Sequence, residues 1–274
     1  MAWTPRSERL SGNRPTYDGF PPHMREPLCE WMNEVDQAPE LQGSSPTLAE
    51  IIALRIGVTF DSHWRSTGAA LLREAHDQGG EDKVLDAIEG YLHASPKPLA
   101  EKLRRILSIG GHTLTVGPDL QTLVEVVDPT MSNLITAITQ PTDLASRELQ
   151  EAWNNAYGRG PDPSDAWDHA IKAIEAILGP LVEPNNTKST LGTQMGIIRN
   201  DATSASPKWS TTSLKHPTTE SPHDAVLSML GRIWANPDRH GSGTPTSPTL
   251  PQARAVVALT VSIVQIAREG DLLS

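Results

Sequence analysis

Apolar residues recur every three or four positions along most of the chain, and this spacing predicts amphipathic α-helices. Between residues 22 and 110 it predicts five of them. Their apolar faces are Met24, Leu28, Trp31, Met32 and Val35; Leu48, Ile51, Ile52, Leu54 and Ile56; Ala69, Leu71, Leu72 and Ala75; Val84, Leu85, Ile88, Tyr91 and Leu92; and Leu99, Leu103, Ile106 and Leu107. We expect Ser66 to cap the third helix, Gly79-Gly80 to end it, and Gly110-Gly111 to end the fifth.

The spacing of apolar residues changes from a helical to a strand-like period after residue 111. Residues 112–116 alternate polar and apolar side chains, Gly117-Pro118-Asp119 is a turn sequence, and residues 120–127 are rich in β-formers. Two short β-rich runs around a turn predict a β-hairpin. A helix over residues 120–127 is the alternative.

Helical spacing returns after the hairpin. It predicts helices over residues 130–139, 143–157, 162–179, 190–198, 226–234 and 253–266, with a Ser-, Thr- and Pro-rich loop over residues 200–221. Asp162 followed by Pro163 is typical of a helix N-terminus. We therefore expect a mainly α-helical protein, with a helical N-terminal region over residues 1–140 that carries the hairpin and a C-terminal helical bundle over residues 141–274.

Composition and charge narrow the classes of function. The net charge of −10 at pH 7 argues against bulk electrostatic binding to nucleic acid, although a local basic pocket remains compatible with it. A single cysteine excludes an internal disulfide and a cysteine-based zinc site, and no two histidines stand four residues apart, so we predict no metal and no cofactor. The chain starts without an apolar leader and has no run that we judge long enough to span a bilayer, so a soluble cytoplasmic protein is expected.

The densest group of chemically versatile side chains follows the apolar helix that ends near Trp234. Arg232, Asn236, Asp238, Arg239 and His240 stand within nine residues of one another. Because imidazole titrates near neutral pH, His240 can accept or donate a proton, and a guanidinium from Arg232 or Arg239 can bind two phosphate oxygens. Together these groups suffice for metal-independent RNA cleavage. The alternative is a structural turn in which Asp238 caps local amides and Arg239 pairs with an acid.

Two further segments of the second half carry candidate binding residues. Glu175 lies on the apolar side of its helix, where a carboxylate needs a partner, so it is expected to orient Arg232 or Arg239 unless it is simply a partly exposed helix residue. Lys188 belongs to the run Asn185-Asn186-Thr187-Lys188, which precedes a short helix and can cradle an anion at that helix N-terminus. A plain loop and helix cap is the alternative for this run.

The second half of the chain resembles the C-terminal helical domain of AbiJ-type bacterial abortive-infection proteins, which belong to the HEPN superfamily of helical nucleases. The resemblance rests on Asp162-Pro163-Ser164-Asp165-Ala166-Trp167, Ile171-Lys172-Ala173-Ile174-Glu175, Asn186-Thr187-Lys188-Ser189-Thr190-Leu191-Gly192, Leu230 to Trp234, and Asp238-Arg239-His240-Gly241. The first residues are similar to AbiJ-type leader domains through Ser7-Glu8-Arg9, Pro22 to Leu28 and Trp31.

This resemblance implies an anti-phage defence protein that cleaves RNA, acts as a homodimer and responds to a phage-derived trigger. The motif of the nuclease members is an Arg, a polar residue, and a His after a short gap. This chain departs from that motif in two ways: the apolar Ile233 follows Arg232, and the interval from Arg232 to His240 is longer than usual. The polar residue of the motif would then be Asn236 or Asp238. Because the superfamily also contains non-catalytic members, a helical module that binds RNA or protein is the alternative, and an assembly partner is a third.

Overall fold

The protein is mainly helical with one small antiparallel hairpin, which confirms the predicted fold class. The structure is a computed structural model that describes residues 17, 19–41, 46–60, 67–209, 222–238, 247–270 and 272–273. The elements within these ranges are α1 (Pro22–Asp36), α2 (Leu48–Ile56), α3 (Gly68–Ala94), α4 (Lys97–Gly110), β1 (Leu114–Val116), β2 (Leu123–Glu125), α5 (Pro129–Ile138), α6 (Leu144–Tyr157), α7 (Pro163–Val182), α8 (Leu191–Ala202), α9 (Pro222–Trp234) and α10 (Leu250–Arg268).

The chain forms two compact units, Met1–Val126 and Val127–Ser274. The boundary follows the hairpin, whereas the sequence predicted a division between residues 140 and 141. Helix α5 accounts for the difference, since it packs against α10 in the second unit and buries Ile135 and Ile138 there. Apolar spacing locates a helix along the chain but does not say which neighbour its apolar face will meet.

The first unit is organised around α1, which packs against both α3 and α4. The five residues predicted to form its apolar face, Met24, Leu28, Trp31, Met32 and Val35, are all buried. Trp31 has no exposed surface, and its indole Nε1 donates a hydrogen bond of 2.8 Å to the carbonyl of Leu99 in α4. At the C-terminal end of α1, Asp36 accepts hydrogen bonds from the Tyr91 hydroxyl at 2.8 Å and from the Gly68 amide at 3.0 Å.

The apolar face predicted for α2 is only partly correct. Ile52 is buried against α3, but Leu54 is 83 % exposed and Ile51 is 38 % exposed. The helix buries its small residues, Ala49 and Ala53, on the same side as Ile52, so that side approaches α3 closely. A short helix with apolar residues on most sides does not reveal from its spacing which side faces the core.

The ends of α3 follow local capping chemistry. Its N-cap is Thr67, whose hydroxyl accepts a hydrogen bond of 3.3 Å from the Ala70 amide; the predicted cap, Ser66, lies outside the described residues. The predicted break at Gly79-Gly80 is confirmed, since Gly80 has a φ of 65° and interrupts the helical backbone inside α3.

The hairpin pairs β1 with β2, with Val116 opposite Leu123 and Leu114 opposite Glu125. This excludes the alternative of a helix over residues 120–127. The strands are shorter and the turn longer than predicted, because the Asp119 carboxylate accepts hydrogen bonds from the Thr122 amide at 3.2 Å and from the Thr122 hydroxyl at 3.0 Å. Those bonds hold residues 117–122 together as one loop.

The second unit is a bundle centred on α7, which packs against α6, α8, α9 and α10. Asp162 caps α7 as predicted by accepting hydrogen bonds from the amides of Ser164 and Asp165. The helix does not stop at Gly179-Pro180 but continues to Val182, which is buried. A proline so close to the end removes only one helical hydrogen bond, and burial of Val182 offsets that loss.

Helix α10 has a length and apolar composition that would suffice to cross a membrane, so the expectation that no run is long enough was wrong for its 19 residues. Its buried stripe, Ala253, Val256, Val257, Thr260, Val261, Ile263 and Val264, packs against the other helices of the bundle. At its end Arg268 pairs with Asp143 at 2.8 Å, which ties α10 to the N-cap of α6. A helix in the core of a globular unit has this same composition.

Candidate functional site in the second unit

The end of α9 carries the first of the predicted site residues. Val226, Leu230 and Ile233 are buried as the spacing predicts, but Trp234 is 41 % exposed. Trp234 follows Val226 by eight residues. At roughly 100° per residue its side chain points about 80° away from that of Val226 around the helix axis, so Trp234 lies at the edge of the buried stripe. There it lies against Gly192, where an added Cβ would come within 3.2 Å of the indole Nε1.

Two side chains from the start of α7 hold the end of α9. The indole Nε1 of Trp167 donates a buried hydrogen bond of 2.6 Å to the carbonyl of Ile233, which belongs to the last turn of α9. The Ser164 hydroxyl donates to the carboxylate of Asp238, four residues after the helix ends. The beginning of the polar segment is therefore attached to α7 at two points.

Asn236 and Asp238 form a self-contained turn. The Asn236 side chain is 2 % exposed, and its Oδ1 accepts a hydrogen bond of 3.0 Å from the Asp238 amide. An asparagine that bonds the backbone two residues ahead is a common way to close such a turn. The capping role suggested for Asp238 in the structural alternative is performed here by Asn236.

Of the three positively charged or titratable candidates of this segment, the structure describes Arg232. Arg232 is exposed, and it makes no hydrogen bond or ion pair within the described part of the chain. Arg239 and His240 lie outside the described residues, so their predicted roles stay predictions. Arg232 therefore presents its guanidinium to solvent beside the anchored turn.

Glu175 is half-buried, and it serves the backbone of a neighbouring helix. Its Oε1 accepts a hydrogen bond of 2.8 Å from the Leu191 amide, the first of α8, and within the described residues no hydrogen bond or ion pair joins it to Arg232. Its own carbonyl accepts a hydrogen bond of 3.1 Å from Nε2 of the buried Gln194. A carboxylate at a helix N-terminus satisfies an amide that has no partner within the helix.

The loop that precedes α8 is organised by Glu183. The Glu183 carboxylate accepts hydrogen bonds from the Ser189 hydroxyl and from the Asn186 side chain, and these bonds hold its pKa below the ordinary value. The Lys188 amide donates to Asn186 Oδ1 at 3.0 Å, while the Lys188 side chain is exposed. The Glu183 carboxylate and the Asn186 side chain thus close the loop locally, which is the structure that the loop-and-cap alternative predicts for residues 185–188.

Beside this loop the bundle has a cleft of about 420 Å³. Three carboxylates, Glu148, Glu175 and Glu183, line it together with Lys172. Next to the cleft, Nδ1 of His169 lies 2.6 Å from the Glu148 carboxylate and its Nε2 lies 3.6 Å from Asp165. Sequence reasoning missed this histidine, although the spacing of Asp165 and His169, four residues apart on one helix, was a usable signal.

The described residues contain no group of three or more His, Cys, Asp and Glu side chains arranged to hold a metal ion. What the structure does bring together are the segments on which the family resemblance rests. The start of α7 contacts the end of α9, and the start of α8 contacts both Glu175 and Trp234. These segments are far apart in sequence, and they contact one another within the second unit.

The start of α9 is fastened by Asp201, the next-to-last residue of α8. Its Oδ1 accepts a hydrogen bond of 2.8 Å from the Lys208 amide, and its Oδ2 accepts from the Trp209 amide at 3.1 Å and lies 3.1 Å from Nε2 of the buried His223. Trp209 is itself buried, with the Lys208 ammonium 4.7 Å from its ring centroid. One carboxylate thus fixes the chain on both sides of residues 210–221.

We expect acid to loosen this attachment. Desolvation raises the pKa of Asp201, but the Lys208 and Trp209 amides and His223 outweigh it and leave the pKa below its ordinary value of 3.8. A depressed carboxyl pKa stabilises the fold above the unfolded-state pKa, and that stabilisation is lost as the pH falls through the folded-state value. The melting temperature of the wild type should therefore drop below about pH 4, and Asp201→Asn should be less stable at pH 7 and show a shallower acid drop.

The matched control for this prediction is Glu151→Gln, which neutralises an exposed carboxylate of α6 in the same unit. Thermal unfolding followed by circular dichroism at a series of pH values measures both variants. An Asp201→Asn protein with the wild-type acid profile would show that the attachment contributes nothing to stability.

No protein-family model matches the chain, and comparisons with curated proteins and with solved structures found no match.

Proposed function

We propose that the protein is an anti-phage, abortive-infection protein whose second unit is a metal-independent endoribonuclease of the HEPN type. The observation that carries this proposal is the attachment of the segment after α9 to the start of α7. Ser164 binds Asp238, and Trp167 binds the last turn of α9, so the residue that immediately precedes Arg239 and His240 in sequence has a fixed position. A reaction that needs a few side chains in register benefits from such an anchor.

The proposed chemistry uses a guanidinium and an imidazole. His240 takes the proton of an RNA 2′-hydroxyl, the freed oxygen attacks the adjacent phosphorus, and the bond from phosphorus to the 5′-oxygen of the next nucleotide breaks. A proton returns to that 5′-oxygen as it leaves. Arg232 or Arg239 stabilises the charge that builds on the phosphate oxygens, and the products are a 2′,3′-cyclic phosphate and a 5′-hydroxyl.

The second unit would work as a homodimer, with RNA as substrate and a phage-derived trigger as the partner that starts cleavage. This arrangement rests on the resemblance alone. The net charge of −10 at pH 7 does not favour RNA binding, so on this proposal the RNA contacts must come from local cations such as the exposed Arg232 and Lys188.

A non-catalytic helical module that binds RNA or protein is the second candidate. The observation that favours it is the turn closed by Asn236, which is complete without a substrate and engages the polar residues that the family motif would use. On this proposal Arg232 and Trp234 form a binding surface, and no RNA is cleaved.

The deciding experiment incubates the wild-type protein with total cellular RNA, with and without EDTA, and analyses the ends of the fragments. Protein is purified both from uninfected and from phage-infected cells, so that a triggered form is included. Cleavage that persists in EDTA and leaves 2′,3′-cyclic phosphates supports the nuclease. Intact RNA with both preparations would exclude it, and retention of RNA on the immobilised protein without cleavage would favour the binding module.

A further inference from the structure

The first unit contains a cavity between α1 and α3 that none of the preceding assignments uses. Its volume is about 150 Å³. The apolar part of its wall is formed by Phe20, Leu28, Cys29, Ala69, Leu72 and Val84, and its charged rim by Arg25, Arg73, His76, Asp77 and Glu81. An apolar pocket with a few polar groups at its mouth is the usual form of a small-molecule site.

Most of the charged groups at the rim are already engaged within the protein. The Glu81 carboxylate accepts a hydrogen bond of 3.1 Å from the Phe20 amide, and Nδ1 of His76 lies 3.4 Å from Asp77. Arg73 lies 3.5 Å from the neighbouring Glu74. Within the described part of the chain these contacts leave one rim residue that makes no hydrogen bond or ion pair.

That residue is Arg25, which lies one helical turn before Cys29 on α1 and is exposed. Its guanidinium is the rim charge still available to a ligand, and a planar guanidinium pairs with a carboxylate through two parallel hydrogen bonds. The head group that suits this mouth is therefore an anion.

The volume sets the size of the apolar part of the ligand. An apolar cavity of about 150 Å³ accommodates a benzene ring. We propose that this cavity binds a small carboxylate with an apolar body of about one ring, which inserts between Leu28 and Leu72 while its carboxylate pairs with Arg25. This site is separate from the segment proposed for RNA cleavage, and its test does not depend on that activity.

Three probes of the same shape and different charge test the proposal: benzoate, benzyl alcohol and benzylamine. Binding to the full chain is measured by isothermal titration calorimetry. Benzoate should bind saturably and more tightly than benzyl alcohol, and benzylamine should bind most weakly. Arg25→Ala should weaken benzoate binding by about tenfold, the usual scale for a lost charge-assisted hydrogen bond, and should leave benzyl alcohol unchanged. The matched control is Arg55→Ala, an exposed arginine of α2 in the same unit.

A second variant tests the cavity itself. Ala69→Phe places a ring in the space and should abolish binding of both benzoate and benzyl alcohol, and an unchanged melting temperature would show that the variant is folded. Failure of Ala69→Phe to fold leaves Arg25→Ala as an independent test. The proposal is overturned if none of the three probes binds saturably, if benzylamine binds more tightly than benzoate, or if a folded Ala69→Phe protein binds benzoate as the wild type does.

Cys29 provides a direct readout of occupancy, because it is the single cysteine of the chain and lines the cavity. Burial raises the pKa of its thiol, the charge of Arg25 lowers it and that of Glu26 raises it, with the net effect upward. The native thiol should therefore react slowly with iodoacetamide, and saturating benzoate should slow it further, at least about tenfold if the ring covers the sulfur. An alkylation rate unaffected by benzoate, at concentrations where calorimetry shows binding, would place the ligand elsewhere and overturn the proposal.

Discussion

Trp31→Ala should lower the free energy of unfolding by about 3–5 kcal/mol, the range measured for removing a large aromatic side chain from a packed core. Trp31 has no exposed surface, contacts the Tyr91 ring at 6.3 Å between centroids, and joins α1 to α4 through its hydrogen bond to Leu99. Removing the indole leaves a cavity at the meeting point of three helices, and the surrounding side chains can close it only in part. Urea denaturation followed by circular dichroism measures the loss.

Two variants separate the causes of this loss. Trp31→Phe keeps most of the apolar volume but removes the indole N–H, so it should cost clearly less than Trp31→Ala, with about 0.5–1.5 kcal/mol from the hydrogen bond. Trp234→Ala removes the same side chain from a position that is 41 % exposed, and should therefore also cost less than Trp31→Ala. A loss under about 1 kcal/mol for Trp31→Ala would contradict its place in the core.

The sequence predicted the helices well because burial of one side of a helix imposes a repeat that is visible without any structure. All five apolar residues assigned to the inner face of α1 are buried, and the turn to a hairpin after Gly111 is visible as a change of period. Leu54 and Trp234 mark the limit of this reasoning. Both are apolar, yet both are exposed. Trp234 lies at the edge of its buried stripe, and in α2 the spacing does not reveal which side of the helix faces its neighbour.

The candidate site could be predicted only in its local parts. Capping by Asp162 depends on neighbours within three residues, and this cap formed as the sequence indicates. The partner of Glu175 could not be predicted in the same way. Its carboxylate meets the Leu191 amide, which is 16 residues away, whereas its residue type and apolar setting predicted a charged partner. A backbone amide left free at a helix N-terminus competes with any arginine for a carboxylate, and its presence becomes visible only when the helices are placed.

Ser164 and Asp238 show the same limit over a longer distance, since 74 residues separate them. Neither residue alone suggests the other as a partner. Their contact depends on α7 and α9 crossing so that the start of one helix meets the end of the other. Residue types and spacing therefore identified the segment with the richest chemistry, and the fold determines which part of that segment is held in place.

His240→Ala should reduce RNA cleavage by about 10²–10⁴-fold if the proposed function is correct, because the variant loses the group that transfers the proton from the 2′-hydroxyl. Arg232→Ala should reduce it by about 10²–10³-fold if Arg232, and not Arg239, stabilises the phosphate charge. The thermal stability of Arg232→Ala should stay close to that of the wild type, since the residue is exposed and makes no hydrogen bond or ion pair within the described part of the chain.

The matched controls are His93→Ala and Arg199→Ala, which remove an exposed histidine of α3 and an exposed arginine of α8. Initial rates on one defined RNA oligonucleotide are compared for the four variants and the wild type, with EDTA present throughout. The cleavage rate of the wild type should rise with pH through the range in which an imidazole loses its proton, because a general base acts in its deprotonated form. His240→Ala should flatten this rise. Wild-type rates in all four variants would point to a contaminating nuclease, a wild-type rate for His240→Ala beside a loss in Arg232→Ala would remove the histidine from the chemistry, and equal losses in all four variants would point to a general effect of substitution on the fold.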